Sequence, residues 1–130
     1  MTIAGLRQIY SAYLEAANAR EFDRMTEFVH DTISFNGEII TRDEYVAAMR
    51  QAVDSVQNYF WHLDDLIIED GRVAARLTVT GTPVKEWLGL QPTGRDVTFT
   101  ECSFYQFRDG RFDHMWYVLD FPAIRKQLAA

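Results

Sequence analysis

Between residues 3 and 17 the apolar positions recur at helical spacing. Ile3, Leu6, Ile9, Tyr10, Tyr13, Leu14 and Ala17 form one stripe, and Arg7, Gln8, Ser11 and Glu15 lie off it. Asn18-Ala19-Arg20 breaks the stripe. A second, shorter helix fits residues 21–29, with Phe22, Met25, Phe28 and Val29 on its apolar side. Thr32-Ile33-Ser34-Phe35 predicts a short strand, and Asn36-Gly37 a tight turn before Glu38-Ile39-Ile40. Thr41, followed three residues later by Glu44, is a capping box. It opens a third helix that carries Tyr45, Val46, Met49 and Val53 at spacings of three and four.

From residue 59 the pattern changes to that of strands. Tyr59 to Ile68 is rich in aromatic and branched residues, and Asp70-Gly71 turns it into Val73 to Thr82. There Val73, Ala75, Leu77 and Val79 alternate with Arg72, Ala74, Arg76 and Thr78. Residues 83–96 hold Pro83, Gly89, Pro92 and Gly94 and predict an irregular loop. Val97 to Arg108 is a long strand, and Asp109-Gly110 turns it into Arg111 to Leu119. Pro122 then opens a short helix over residues 123–128. Helices followed by hairpin-linked strands predict an α+β domain. Three N-terminal helices would pack on a curved antiparallel sheet and enclose a cone-shaped pocket. At 130 residues the chain forms one domain, 1–130.

Nine Phe, six Tyr and three Trp are a heavy aromatic load for such a domain, and they suggest a large apolar interior or a ligand cavity. A formal charge of -6 without a basic run argues against nucleic acid as a partner. Cys102 is the only cysteine, so no intrachain disulfide forms. The first residues lack a basic segment followed by an apolar one, and no apolar run approaches bilayer length. A cytoplasmic protein that does not engage membranes is expected. Three scattered histidines, His30, His62 and His114, have no paired spacing for a metal.

Three stretches carry a family resemblance. They are Asp70-Gly71-Arg72-Val73-Ala74-Ala75-Arg76 with Gly81-Thr82, the loop from Leu88 to Arg95, and Asp109-Gly110-Arg111 with Trp116-Tyr117-Val118-Leu119-Asp120 and Gln127-Leu128. In order and spacing they resemble the SnoaL-like polyketide cyclases of the NTF2-like superfamily. The resemblance implies a deep cone, usually in a homodimer, without metal or organic cofactor. It also implies that Asp120 is the general acid/base of an intramolecular aldol ring closure on a polyketide ester. Two departures stand out. Pro83 follows the Gly-Thr pair where the family often has His. Glu101, Ser103 and Tyr105 stand where cyclases carry His or Gln on the long strand.

Strict alternation along the last strand puts Phe112, His114, Trp116, Val118 and Asp120 on one face. If that face is concave, Asp120 is a desolvated carboxyl fit for acid/base work. Alternatively it caps the last helix, although Pro122 favours extended geometry at Phe121 and would shift the cap to Phe121. Glu101, inside an apolar strand, is either a second pocket carboxylate, or the partner of Arg76 or Lys85, or a residue of an exposed outer face. Arg76 either holds a substrate oxygen or covers the outer sheet face. Trp116, Trp61, Trp87, Tyr13, Tyr45, Met49 and Phe35 are candidate lining, with Tyr105 a candidate donor. Met115, Tyr117 and Leu119 would then form an apolar outer face for a partner subunit.

The expected function is that of a cyclase or isomerase moving a proton beside a carbonyl of a small apolar or aromatic ligand. A non-catalytic binding or dimerisation module on the same fold is the alternative. A hydrolase of epoxides or esters fits poorly, because the Asp-Arg-Asp set that such enzymes of this fold use has no clear counterpart.

Overall fold

The computed structural model describes residues 2–129. Helix α1 spans Ile3–Asn18, and Thr2 caps it by accepting from the Gly5 N–H at 2.9 Å. Its buried residues, Leu6, Tyr10, Tyr13, Ala16 and Ala17, recur at three and four, as the stripe predicts. The expected second helix is a 3₁₀ turn, Phe22–Glu27. It stops early because Val29 already pairs with Phe112 in the sheet, which takes the backbone out of helical geometry. Strands β1, Val29–Phe35, and β2, Glu38–Thr41, follow. Helix α2, Arg42–Ser55, opens on the capping box, with both reciprocal bonds between Thr41 and Glu44 in place.

Strands β3, Val56–Glu69, β4, Arg72–Pro83, β5, Val97–Arg108, and β6, Arg111–Leu119, form the large part of the sheet. Helix α3, Phe121–Leu128, closes the chain. The six strands stand in the order β2-β1-β6-β5-β4-β3. Neighbours are antiparallel except β1 and β6, which run parallel. The sheet is therefore mixed rather than wholly antiparallel, because the β1–β2 hairpin docks on β6 with β1 alongside it. Asn36-Gly37, Asp70-Gly71 and Asp109-Gly110 all have positive φ at both positions, the backbone that tight hairpins require.

Bulges give the sheet its bend. In β3 the register shifts between Gln57 and Phe60 and again between Leu63 and Asp65. Gly81 permits the first of these. A Cβ there would lie 2.6 Å from Val56 Cγ1 and 3.3 Å from Tyr59 Cα, so only glycine lets β3 press this closely onto β4. In the β5–β6 hairpin, Phe107 pairs with Phe112 but Gln106 pairs with His114. Asp113 is the extra residue. Its carboxylate accepts from Arg108 Nε at 2.9 Å and lies 2.9 Å from His114 Nδ1, which pins the bulge.

That one residue reverses the facing of the rest of β6. Phe112 points inward, and so do Met115, Tyr117 and Leu119, each packed against the core. Trp116 and Val118 point outward, 38% and 69% exposed. The strict alternation expected from the sequence, and the outer-face position expected for Met115, Tyr117 and Leu119, do not hold.

The core has two parts. The larger joins α1, α2, the 3₁₀ turn and residues of β1, β3, β4, β5 and β6. The smaller joins β3, β4, β5 and the loop residue Trp87 to Ile124 and Leu128 of α3. Gln127 fastens α3 to the sheet. Its Oε1 accepts from the Thr98 N–H and its Nε2 donates to the Thr98 carbonyl, both at 2.8 Å. Beyond the end of β6, this side chain stands in for a missing strand.

Candidate active site

The cone opens between α1, α2 and the concave face of the sheet. Its cavity holds about 620 Å³ of atom-free space, counting the open mouth. Tyr10, Tyr13, Leu14 and Ala17 of α1 and Tyr45, Ala48, Met49 and Ala52 of α2 make the helical wall. Phe35, Tyr59, Trp61, Leu77, Tyr105, Met115 and Tyr117 make the sheet wall, and with them stands one carboxylate, Glu101.

Glu101 is placed by the clean alternation of β5. Val97, Phe99, Glu101, Ser103 and Tyr105 are all buried, whereas Thr98, Thr100 and Phe104 are exposed. The side chain is 6% exposed and makes no salt bridge among the described residues. Burial pushes its carboxyl above the ordinary glutamate range. The Ser103 hydroxyl, which donates to Oε2 at 2.8 Å, and the Trp61 side chain oppose that shift in part. Such a carboxyl exchanges protons nearer to neutrality than a solvated one does.

Phenols surround it. Tyr13 and Tyr45 hydrogen-bond to each other through their hydroxyls. Burial holds Tyr10, Tyr13, Tyr45, Tyr59 and Tyr105 above the usual phenol range, so they stay protonated. Trp61 is set in place from α1. Asn18 Nδ2 donates to the Trp61 carbonyl and Asn18 Oδ1 accepts from its N–H, both at 2.9 Å. On β6 the Tyr117 N–H donates to Asn36 Oδ1 at 2.8 Å, which ties the β1–β2 turn to the cavity wall.

Of the residues expected from the sequence, Glu101, Tyr105, Trp61, Tyr13, Tyr45, Met49 and Phe35 meet at the cavity. Four do not. Asp120 is exposed and is the N-cap of α3, accepting from the Ala123 N–H at 3.2 Å. The Asp113 bulge sends it to the outer side. Pro122 sits at the second helical position, where no N–H is needed, so the helix begins at Phe121 and the cap falls on Asp120. Trp116 is turned outward by the same bulge and stacks on His114 at 5.6 Å. Arg76 is exposed on the outer face, 3.8 Å from Asp64. Trp87 is buried behind Tyr59 and Phe99 in the smaller core and does not line the cavity.

Tyr10, Tyr59 and Tyr117 line the cavity without having been expected there. Tyr10 was marked only by its place in the α1 stripe. Tyr59 and Tyr117 lie beside bulges, which simple alternation does not register.

The sequence profile of the SnoaL-like polyketide cyclases matches residues 7–128. The chain belongs to that family. A SnoaL-like polyketide cyclase from Agrobacterium tumefaciens is 32% identical, with a TM-score of 0.90 over 95% of this chain and 98% of that one. TsrD from Streptomyces laurentii is 25% identical, with a TM-score of 0.90 over 100% of this chain and 98% of the other. IdmH from Streptomyces antibioticus, at 20% identity, shares the fold with a TM-score of 0.84 over 96% and 99%. No curated protein matches the sequence significantly. The α+β cone of this SnoaL-like protein is that of the NTF2-like superfamily. Among the described residues, no helix is long and apolar enough to cross a membrane.

Proposed function

We propose that this SnoaL-like protein is a cyclase or isomerase for a small apolar or aromatic carbonyl compound, with Glu101 as its general acid/base. The observation that supports this reading is the one side-chain carboxyl buried among the described residues, in an otherwise aromatic and aliphatic cavity. The carboxylate takes a proton from the carbon beside a carbonyl. The C–H electron pair becomes the enolate, whose charge settles on the oxygen. In a ring closure the enolate carbon attacks a second carbonyl of the same molecule, and Glu101 returns its proton to the new alkoxide. In an isomerisation the proton returns to carbon instead. Neither route needs a metal or organic cofactor. Glu101, on β5, does the work that the resemblance implies for Asp120.

The first step is testable without the natural substrate. In heavy water, aromatic β-keto esters and β-diketones should take up deuterium at the acidic carbon faster with the protein than without it, as read by mass spectrometry. The acceleration should vanish in Glu101→Gln. Tight binding of these compounds with no acceleration would leave a non-catalytic binding module instead.

We also infer a homodimer through the outer sheet face. Phe104 is 56% exposed and pairs with Trp116, and Cys102 pairs with Val118. The bulge thus exchanges one set of apolar residues for another, and an apolar outer patch remains. A second copy would cover it. Val118→Lys should shift the sedimentation coefficient from dimer to monomer, and a wild-type protein that sediments as a monomer would overturn the inference.

A further inference from the structure

Tyr10 is 0% exposed and lines the cavity from the helical wall. Among the described residues, its Oη is the one buried side-chain polar atom without a hydrogen-bond partner. The polar groups around it are matched, Tyr13 with Tyr45 and Glu101 with Ser103. A phenylalanine would keep the ring contacts that Tyr10 makes with Tyr13 and Tyr105, at 5.7 and 5.5 Å, and would leave no buried hydroxyl unpaired. Packing alone therefore does not account for the oxygen. Burial holds this phenol above its usual range; the neighbouring Tyr105 hydroxyl opposes that in part and the charge of Glu101 adds a lesser push the same way as burial, so the group remains a donor.

We propose that Tyr10 Oη donates a hydrogen bond to the substrate oxygen that turns negative as the proton leaves. The proposal rests on the reading of Glu101 as proton acceptor. The base stands on the sheet wall and the donor on the helical wall, so the substrate presents its acidic carbon to one and its oxygen to the other. Glu101 takes the C–H proton, the electron pair left behind forms the C=C bond of the enolate, and the C=O π pair moves onto the oxygen. Tyr10 keeps its own proton throughout. A donor already in place and already dry is the arrangement that favours a developing oxyanion most. Because the Tyr10 oxygen is buried, the substrate has to displace what covers it, and pairing the idle hydroxyl helps to offset that work.

Substituted naphthols of graded acidity serve as probes, since their oxyanion imitates an enolate on a flat ring system. Binding is measured with the full chain carrying Glu101→Gln, which removes the competing negative charge, with and without Tyr10→Phe. The expected result is affinity that rises along the series with acidity, with the bound ring absorbing as naphtholate. Tyr10→Phe should flatten that slope and weaken the most acidic member by about 10- to 100-fold. It should also melt no lower than the parent. An unchanged slope, or a loss of thermal stability on removing the hydroxyl, would overturn the proposal. The two readings fail separately. Deuterium uptake with an unchanged slope leaves Glu101 in place and removes Tyr10. A Tyr10-dependent slope with no deuterium uptake does the reverse.

Discussion

Glu101→Gln is expected to lower kcat/KM by about 10²- to 10⁴-fold, the usual contribution of a positioned acid/base group. The same substitution should raise the thermal midpoint at neutral pH. Burial sets the folded-state pKa of Glu101 above that of the unfolded chain. The native state therefore holds this proton more tightly than the unfolded state does. Below the ordinary glutamate range both states are protonated, and the variant should match the wild type. As pH rises through that range and through the folded pKa, the wild type alone loses stability, because it must either ionise in a dry site or hold its proton against the solvent. The gap should then level off. Gln preserves shape and can still accept from Ser103, which is 2.8 Å from the carboxylate. Melting curves across the pH range check the second half of this expectation, and a variant less stable than wild type at neutral pH would contradict it.

Asp120→Asn provides the contrast. Asparagine caps helices as well as aspartate does, and the position is exposed outside the cavity, so activity and stability should both stay near wild type. If Asp120→Asn stopped turnover and Glu101→Gln did not, the assignment of the carboxyl would be reversed. Ser103→Ala gives an intermediate case. It removes a hydrogen bond that favours the ionised form, so the acidic limb of the pH–rate profile should move to higher pH.

The three hairpin turns were legible because a chain that must adopt positive φ twice in succession has few residues to choose from. The start of α2 was legible because a capping box satisfies two backbone donors at once. The face that Glu101 shares with Val97, Phe99, Ser103 and Tyr105 was legible because β5 alternates without interruption; that this face lines the cavity was not. The same regularity in β4, where Val73, Ala75, Leu77 and Val79 are buried, allowed the outer-face alternative for Arg76. What the pattern did not carry was the bulge at Asp113. Met115-Trp116-Tyr117-Val118-Leu119 is apolar on both faces, so either facing satisfies the alternation, and the extra residue leaves no mark in hydrophobicity. Trp116, Tyr117 and Asp120 were all misplaced by that single backbone irregularity. Trp87 was misplaced for another reason: it lies in a loop, where no period constrains the side chain.

Phe112→Ala is expected to cost about 3–5 kcal/mol and to lower the thermal midpoint by roughly 10–20 °C. Phe112 is fully buried and stands edge-on to Tyr13 of α1 at 5.5 Å and to Tyr45 of α2 at 5.8 Å. It also meets Tyr105 and Phe107 of β5 at 5.0 and 5.9 Å. One ring thus joins both helices to the sheet, and it lies immediately before the bulge that sets the facing of β6. The residues around it cannot close in freely. Tyr13 and Tyr45 are bonded to each other, and the Phe112 N–H is itself held by the Phe28 carbonyl at 2.9 Å. Partial collapse leaves most of the void in place, which is the expensive case for a large-to-small substitution. Phe112→Leu, which keeps much of the volume, should cost markedly less. Chemical denaturation at constant pH measures both. A loss below about 1 kcal/mol for the alanine variant would mean that the aromatic cluster readily repacks. The cone would then not depend on this ring to hold its two walls apart.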